Sequence, residues 1–161
     1  MKITTFLPLA AAALVASPAA AQVMTPAEYV ATAGASDLYE RQSSQMVLES
    51  TQDPKIREFA QMMITDHARS TADVKAAATR SRVRAAPPKL NPTQAEKIAE
   101  LRAASGPARD QAYVAQQRVT HNQALDVHKA YSMDGSAPAL KAAATKIVPV
   151  VQHHVDMLKT M

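Results

Sequence analysis

Two long segments of the chain carry apolar side chains at every third or fourth position, which is the spacing of one face of an α-helix. The first stripe comprises Ile56, Phe59, Ala60, Met63, Val74 and Ala77. The second stripe comprises Leu140, Ala144, Ile147, Val151 and Leu158. Strand-like alternation of apolar and polar residues is not visible, so the pattern predicts an all-α protein.

Five prolines mark where the helices are expected to begin. Proline is favoured in the first helical turn, because its missing N–H would have no partner there. Thr25, Asp53, Asn91 and Ser136 stand before four of them and can cap the free amides. The predicted helices span about 26–51, 54–81, 92–104, 107–131 and 137–160.

The lengths of the connections predict how the helices pack. The first two long helices are joined by a very short link, and so are the last two, which predicts two antiparallel hairpins. Between them lies the segment 82–106, which includes the short helix and could run the full length of a bundle. Two hairpins joined by one long crossover form a ferritin-like four-helix bundle, the fold predicted for residues 22–161.

The N-terminal segment resembles a secretory signal peptide. Lys2 provides the positive start, residues 6–16 a short apolar run, and Ala19-Ala20-Ala21 a cleavage pattern before Gln22. We therefore assign residues 1–21 to the signal and expect the mature chain in the periplasm. The apolar run is too short to cross a bilayer, and no later segment is apolar enough, so no membrane span is expected.

Composition argues against a disulfide-stabilised protein and against a nucleic-acid-binding protein. Cysteine is absent, so the core of the exported domain must hold the fold without disulfides. The formal net charge is only +4. The basic residues near position 82 follow a predicted helix end, where positive charge is favoured by the negative end of the helix dipole. Nucleic-acid binding would require a longer basic face with aromatic residues, so no nucleic-acid partner is expected.

A carboxylate and three histidines are candidates for chemistry inside the bundle. His67 and His154 lie on the two apolar stripes, and His121 shares a helix face with Val114 and Leu125. Asp37 falls at the same height as His67 and His121 near mid-bundle, with Glu40 one turn further along its helix. His154 is expected about 9 Å away along the axis. His128 and His153 are expected to face solvent.

Several motifs resemble those of a known family. They are Ser36-Asp37-Leu38-Tyr39-Glu40, Ile56-Arg57-Glu58-Phe59-Ala60-Gln61-Met62-Met63 and Asp66-His67. They are similar to the exported bacterial family called domain of unknown function 4142, whose members are often labelled predicted outer-membrane proteins. The resemblance covers essentially all of the mature chain and implies a ferritin-like bundle and export, but no reaction. Ferritin-like di-iron sites use Glu-x-x-His motifs, which this chain lacks, so ferroxidase chemistry is not carried over.

Two main interpretations of the buried polar residues remain open. In one, Asp37 or Glu40 together with His67, His121 and His154 binds a transition metal ion such as Fe, Zn or Cu. Asp66 would then orient one imidazole by accepting a hydrogen bond from its other ring N–H. In the other, the same groups form a polar network that fixes the helix register. Buried polar groups are usually hydrogen-bonded to each other, which favours the network. A role in pH sensing is the third possibility.

The sequence favours a periplasmic binding or structural module with this cluster in its core over an enzyme. One alternative is a metal-binding redox or stress-protection protein, which would need an open coordination position. Another is an interaction module that binds an envelope partner through a helix face. The metal, the substrate, the partner and the oligomeric state are left open at this stage.

Overall fold

The computed structural model describes residues 23–161, and the predicted signal peptide lies outside this range. The described chain forms five helices and no strand: α1 Pro26–Leu48, α2 Pro54–Arg80, α3 Pro92–Ala103, α4 Gly106–Asp134 and α5 Pro138–Leu158. The all-α class predicted from the apolar pattern is confirmed. None of the helices in residues 23–161 is long and apolar enough to cross a membrane.

Local capping residues determine where the helices begin. Thr25 and Glu28 form a reciprocal capping box at the start of α1, and Asn91 and Gln94 form another at the start of α3. The carboxylate of Asp53 accepts hydrogen bonds from the first free amides of α2. Each of the five helices has a proline in its first turn, as the sequence predicts.

Two helix ends differ from the predicted boundaries by about one turn. Helix α1 ends at Leu48 rather than near residue 51, because Thr51 is engaged in tertiary contacts. Its hydroxyl donates to the Asp110 carboxylate at 2.9 Å and accepts from the Asp53 N–H. Helix α4 continues to Asp134, and the N–H of Gly135 caps it by donating to the Tyr131 carbonyl. A side chain at Gly135 would meet Tyr131 atoms at 2.6–2.7 Å, so the close approach requires glycine.

Contacts between the helices establish the topology of the bundle. Arg109 at the start of α4 donates to the Met46 carbonyl near the end of α1, and Tyr29 at the start of α1 bonds to His128 late in α4. Helices α1 and α4 are therefore antiparallel. Because α1 is also antiparallel to α2, the crossover containing α3 must run the length of the bundle. This is the predicted ferritin-like arrangement.

The core consists of two apolar clusters separated by a polar layer. One cluster surrounds Tyr29, Leu140 and Ile147, and the other surrounds Phe59, Leu101 and Leu158. The layer between them contains five buried polar side chains: Asp37, Glu40, His67, His121 and His154. The fold thus places the candidate residues of all four long helices in one region, with apolar packing on both sides.

Candidate metal centre

Three histidines from three helices meet in the polar layer. One ring nitrogen from each of His67, His121 and His154 lies within 4.8 Å of those of the other two. The ring centroids are 5.3–5.7 Å apart. His154 therefore lies closer to the other two than its sequence offset along an ideal helix predicts.

Each imidazole is held through one nitrogen by an oxygen acceptor. Nδ1 of His67 lies 2.8 Å from Oδ1 of Asp37, and Nε2 of His154 lies 3.0 Å from Oδ2 of Asp66. Nδ1 of His121 lies 3.1 Å from the carbonyl of Gln117, one turn earlier on α4. A carbonyl or an ionised carboxylate can only accept, so in each pair the histidine nitrogen is the donor. These contacts determine the tautomer of all three rings.

The second nitrogen of each ring has no hydrogen-bond partner. These atoms are Nε2 of His67, Nε2 of His121 and Nδ1 of His154, and all three are buried. Because the other nitrogen carries the hydrogen in each neutral ring, each free nitrogen presents a lone pair. With all three rings neutral, the polar layer offers three unsatisfied lone pairs, an arrangement that can coordinate a cation.

Burial and neighbouring charges act differently on the three imidazoles. Burial and the nearby His67 lower the pKa of His121 to about 3. Burial likewise lowers the pKa of His154 to about 4, although Asp66 opposes it. For His67 burial acts in the same direction, but the hydrogen bond and charge of Asp37 outweigh it and the pKa is raised. At neutral pH His121 and His154 are therefore uncharged, as metal ligands must be, whereas a metal ion at His67 would compete with a proton.

The carboxylates occupy three different environments. Asp37 is engaged on both oxygens, by His67 and by the Thr71 hydroxyl at 3.0 Å. Asp66, on the turn that carries His67, reaches across to His154 instead. Glu40 is entirely buried, and neither of its oxygens has a partner. Burial raises the pKa of Glu40, and its Oε1 lies 3.8 Å from Nδ1 of His121.

The five predicted site residues thus lie in one layer but make different contacts. Each of the three histidines has one ring nitrogen close to those of the other two, whereas Asp37 accepts a hydrogen bond from a histidine, a role predicted only for Asp66. Glu40 is adjacent to His121 but falls outside the three-histidine group. Phe59 packs against His121 and His154 at centroid distances of 6.0 and 6.3 Å and closes one side of the group.

The expectation that His128 faces solvent is wrong, whereas His153 is exposed as expected. His128 is 3% exposed, and its Nδ1 lies 2.9 Å from the Tyr29 hydroxyl. Tyr29 in turn stacks on Tyr131 at 3.9 Å. Burial lowers the pKa of His128 to about 4, against the opposing charge of Asp37 and with a smaller contribution from His67. The helical spacing from His121, two turns earlier on the same face, was the signal that could have revealed this burial.

Comparisons with known proteins agree with the fold. Residues 10–161 match the family described as Domain of unknown function (DUF4142). A DUF305 fragment from Deinococcus radiodurans superposes with a TM-score of 0.72 at 13% identity, covering 84% of this chain and 93% of that one. A DUF305 protein from Streptomyces coelicolor, described as a candidate secreted protein, gives 0.63 at 13% identity, with coverages of 85% and 90%. These likenesses concern the fold alone. The sequence matches no curated protein.

Proposed function

This chain belongs to the DUF4142 family, and we propose that it functions as an exported metal-binding protein in which His67, His121 and His154 coordinate one Zn²⁺ or Cu²⁺ ion. The observation that carries the proposal is that three histidines which meet in the core each have one buried ring nitrogen without a partner. Imidazole nitrogen is a preferred ligand of both ions. Three histidines with a remaining open position are also a known zinc arrangement.

The dimensions of the cluster are compatible with such an ion. Around a tetrahedral zinc with Zn–N bonds of about 2.0–2.1 Å, two ligand nitrogens stand about 3.3 Å apart. Three atoms that all lie within 4.8 Å of one another enclose a point about 2.8 Å or less from each. An inward movement of about 1 Å or less by each nitrogen would therefore complete the site.

The charge of the polar layer also supports a cation. Asp37 and Glu40 are buried, Asp66 is partly buried, and their only close ionic partners are the histidines. Buried carboxylates are costly unless they are paired or lie near a metal ion. A divalent ion held by three neutral imidazoles would offset two of these negative charges. Asp37 and Asp66 would then strengthen His67 and His154 as ligands by accepting their second N–H.

A network of three neutral rings accounts less well for the same groups. An unsatisfied buried polar atom costs about 1–3 kcal/mol, and three are present on the histidines alone. One water molecule has two hydrogens and cannot donate to three lone pairs, whereas one metal ion satisfies all three at once. The competing network is one in which His67 is protonated and a single water accepts from it and donates to the other two rings, and metal analysis distinguishes this network from a metal site.

Metal analysis of the purified mature protein tests the proposal. The protein would be stripped with chelator, equilibrated with Zn²⁺ or Cu²⁺, separated from free ion and assayed for bound metal by mass spectrometry. We expect one ion per chain in the wild type. The variants His67→Ala, His121→Ala and His154→Ala should each lose stoichiometric binding.

The neighbouring His153 provides a matched control. It lies on the same turn as His154 but is exposed, so His153→Ala should retain one ion per chain. Circular dichroism of each metal-free variant establishes that the helices are still formed. Wild-type protein that stays metal-free, or equal metal loss in His153→Ala and His154→Ala, would contradict the proposal and favour the polar network.

A further inference from the structure

A cleft between α2 and α5 leads from the surface to the histidine cluster. Its volume is about 220 Å³, and His67 and His154 lie among its lining residues, whereas His121 does not. Ile147 and Val151 form apolar walls, and Val150, which is 40% exposed, lies at the rim. Two of the three proposed ligands thus line this cleft, and the proposed metal site lies beside it.

We propose that the ion keeps its open coordination position toward this cleft, and that a small inorganic anion enters there and binds the metal. This inference rests on the proposed three-histidine site. An ion with three protein ligands retains a position for an exogenous ligand. Phe59 covers another side of the histidine cluster. The cleft between α2 and α5 is therefore the side from which we expect a ligand to approach the ion.

A buried hydroxyl in the cleft indicates the chemistry of the ligand. Ser70 lies one turn after His67 on α2 and is 8% exposed, and its Oγ has no hydrogen-bond partner. A hydroxyl in this position can donate to a metal-bound oxygen or nitrogen atom. Arg69 and Lys146 also line the cleft, and Asp66 and Asp73 balance their charge, so the hydroxyl rather than the net charge of the lining favours a metal-bound anion.

The size of the cleft limits the ligand. A water molecule occupies about 30 Å³ in the liquid, so a cleft of 220 Å³ has room for about seven water-sized groups. A small inorganic anion fits this volume and can accept a hydrogen bond from Ser70.

Azide titration of the copper-loaded protein tests the inference. Copper stoichiometry is measured first, and azide is then added while the azide-to-copper charge-transfer absorption is followed. We expect a saturable new band. Ser70→Ala should bind the same amount of copper but bind azide about three- to tenfold more weakly, which corresponds to one neutral hydrogen bond.

Two tryptophan variants distinguish blocked access through the cleft from a general effect of adding a large side chain. Val150→Trp should cover the rim and slow azide binding by about tenfold or more, since the ligand must pass this residue. Val119→Trp is the matched control, because Val119 is 49% exposed on α4 and does not line the cleft. It should behave like the wild type.

The outcomes distinguish this inference from the proposed function. Stoichiometric copper with no azide band, or equal azide kinetics in the two tryptophan variants, would overturn the cleft proposal and leave the metal site intact. Absence of stoichiometric copper before azide is added would overturn both.

Discussion

Replacing Asp37 with asparagine isolates the effect of one buried negative charge on the proposed site. Asparagine has nearly the same shape, its carbonyl can still accept from Nδ1 of His67, and its amide can donate to Thr71. Only the charge is lost. The charge-assisted bond at 2.8 Å becomes a neutral one, a difference of about 1 kcal/mol. For a domain of this size the metal-free protein should melt about 3–4 °C lower.

Metal affinity should fall further than this loss of stability implies. Removing the partner behind a metal-bound histidine typically weakens metal binding by about 10- to 100-fold. This factor corresponds to about 1.4–2.8 kcal/mol. Because bound metal stabilises the folded state by mass action, Asp37→Asn should show a larger drop in melting temperature with metal than in chelator.

Competition titration against a chromophoric chelator at about pH 8 measures the affinity with little interference from protons. Thermal melts in chelator and in buffered Zn²⁺ measure the two stabilities. Asp73→Asn removes an exposed carboxylate from α2, the helix that carries His67, and should leave the affinity unchanged. If Asp37→Asn and wild type bind metal with affinities within about twofold, the reasoning that Asp37 orients and strengthens a ligand is refuted.

Three further predictions concern other buried groups. In His128→Asn, the non-titrating side chain should reduce the acid sensitivity of the metal-free protein, because His128 has a pKa of about 4 when folded and 6.5 when unfolded. The wild type therefore loses stability as pH falls from about 6.5 to 4. Between pH 7.5 and 4.5, urea unfolding should show that the variant loses about 2–3 kcal/mol less unfolding free energy than the wild type. An equal loss in both proteins would contradict this assignment. Glu40→Gln should raise the melting temperature in chelator but weaken Zn²⁺ binding, since it removes a buried carboxyl group whose ionised form is costly without the ion and is offset by it; effects of the same sign would refute this. Gly135→Ala should cost about 1–3 kcal/mol of unfolding free energy, because its Cβ would lie 2.6 Å from the Tyr131 carbonyl oxygen. Gly106→Ala meets no atom within 4 Å and should cost about 1–2 kcal/mol from its positive φ alone. Equal stabilities of wild type and Gly135→Ala would contradict the close approach at Gly135.

The helices and their order could be predicted from the sequence because the signals are local. Proline with a preceding cap defines a helix start through the first turn alone, as at Asp53-Pro54. The apolar stripe of α2 places His67 inward through the periodicity of a single helix. Connection lengths then limit how four rods can pack, which is why the crossover and the bundle could be anticipated.

Helix α1 shows where this reasoning weakens. Its inward face includes Tyr39, Ser43 and Ser44, which bond to Gln116, Gln117 and Tyr113 of α4. A face of this kind does not stand out as an apolar stripe, because its polar atoms are satisfied only by another helix. The sequence therefore places Asp37 and Glu40 near the core without indicating their partners.

The pairing of side chains was decided by the tertiary structure. Asp66 is adjacent to His67 in sequence yet bonds to His154 on α5, while Asp37 supports His67 from α1. These partners depend on the rotation and height of one helix relative to another, which side-chain packing along the whole interface sets. The sequence by itself determined which faces of the apolar-striped helices enter the core. Only the packed bundle decided which nitrogen of each imidazole is bonded and which remains free, because that choice requires atoms from different helices to meet within hydrogen-bond distance.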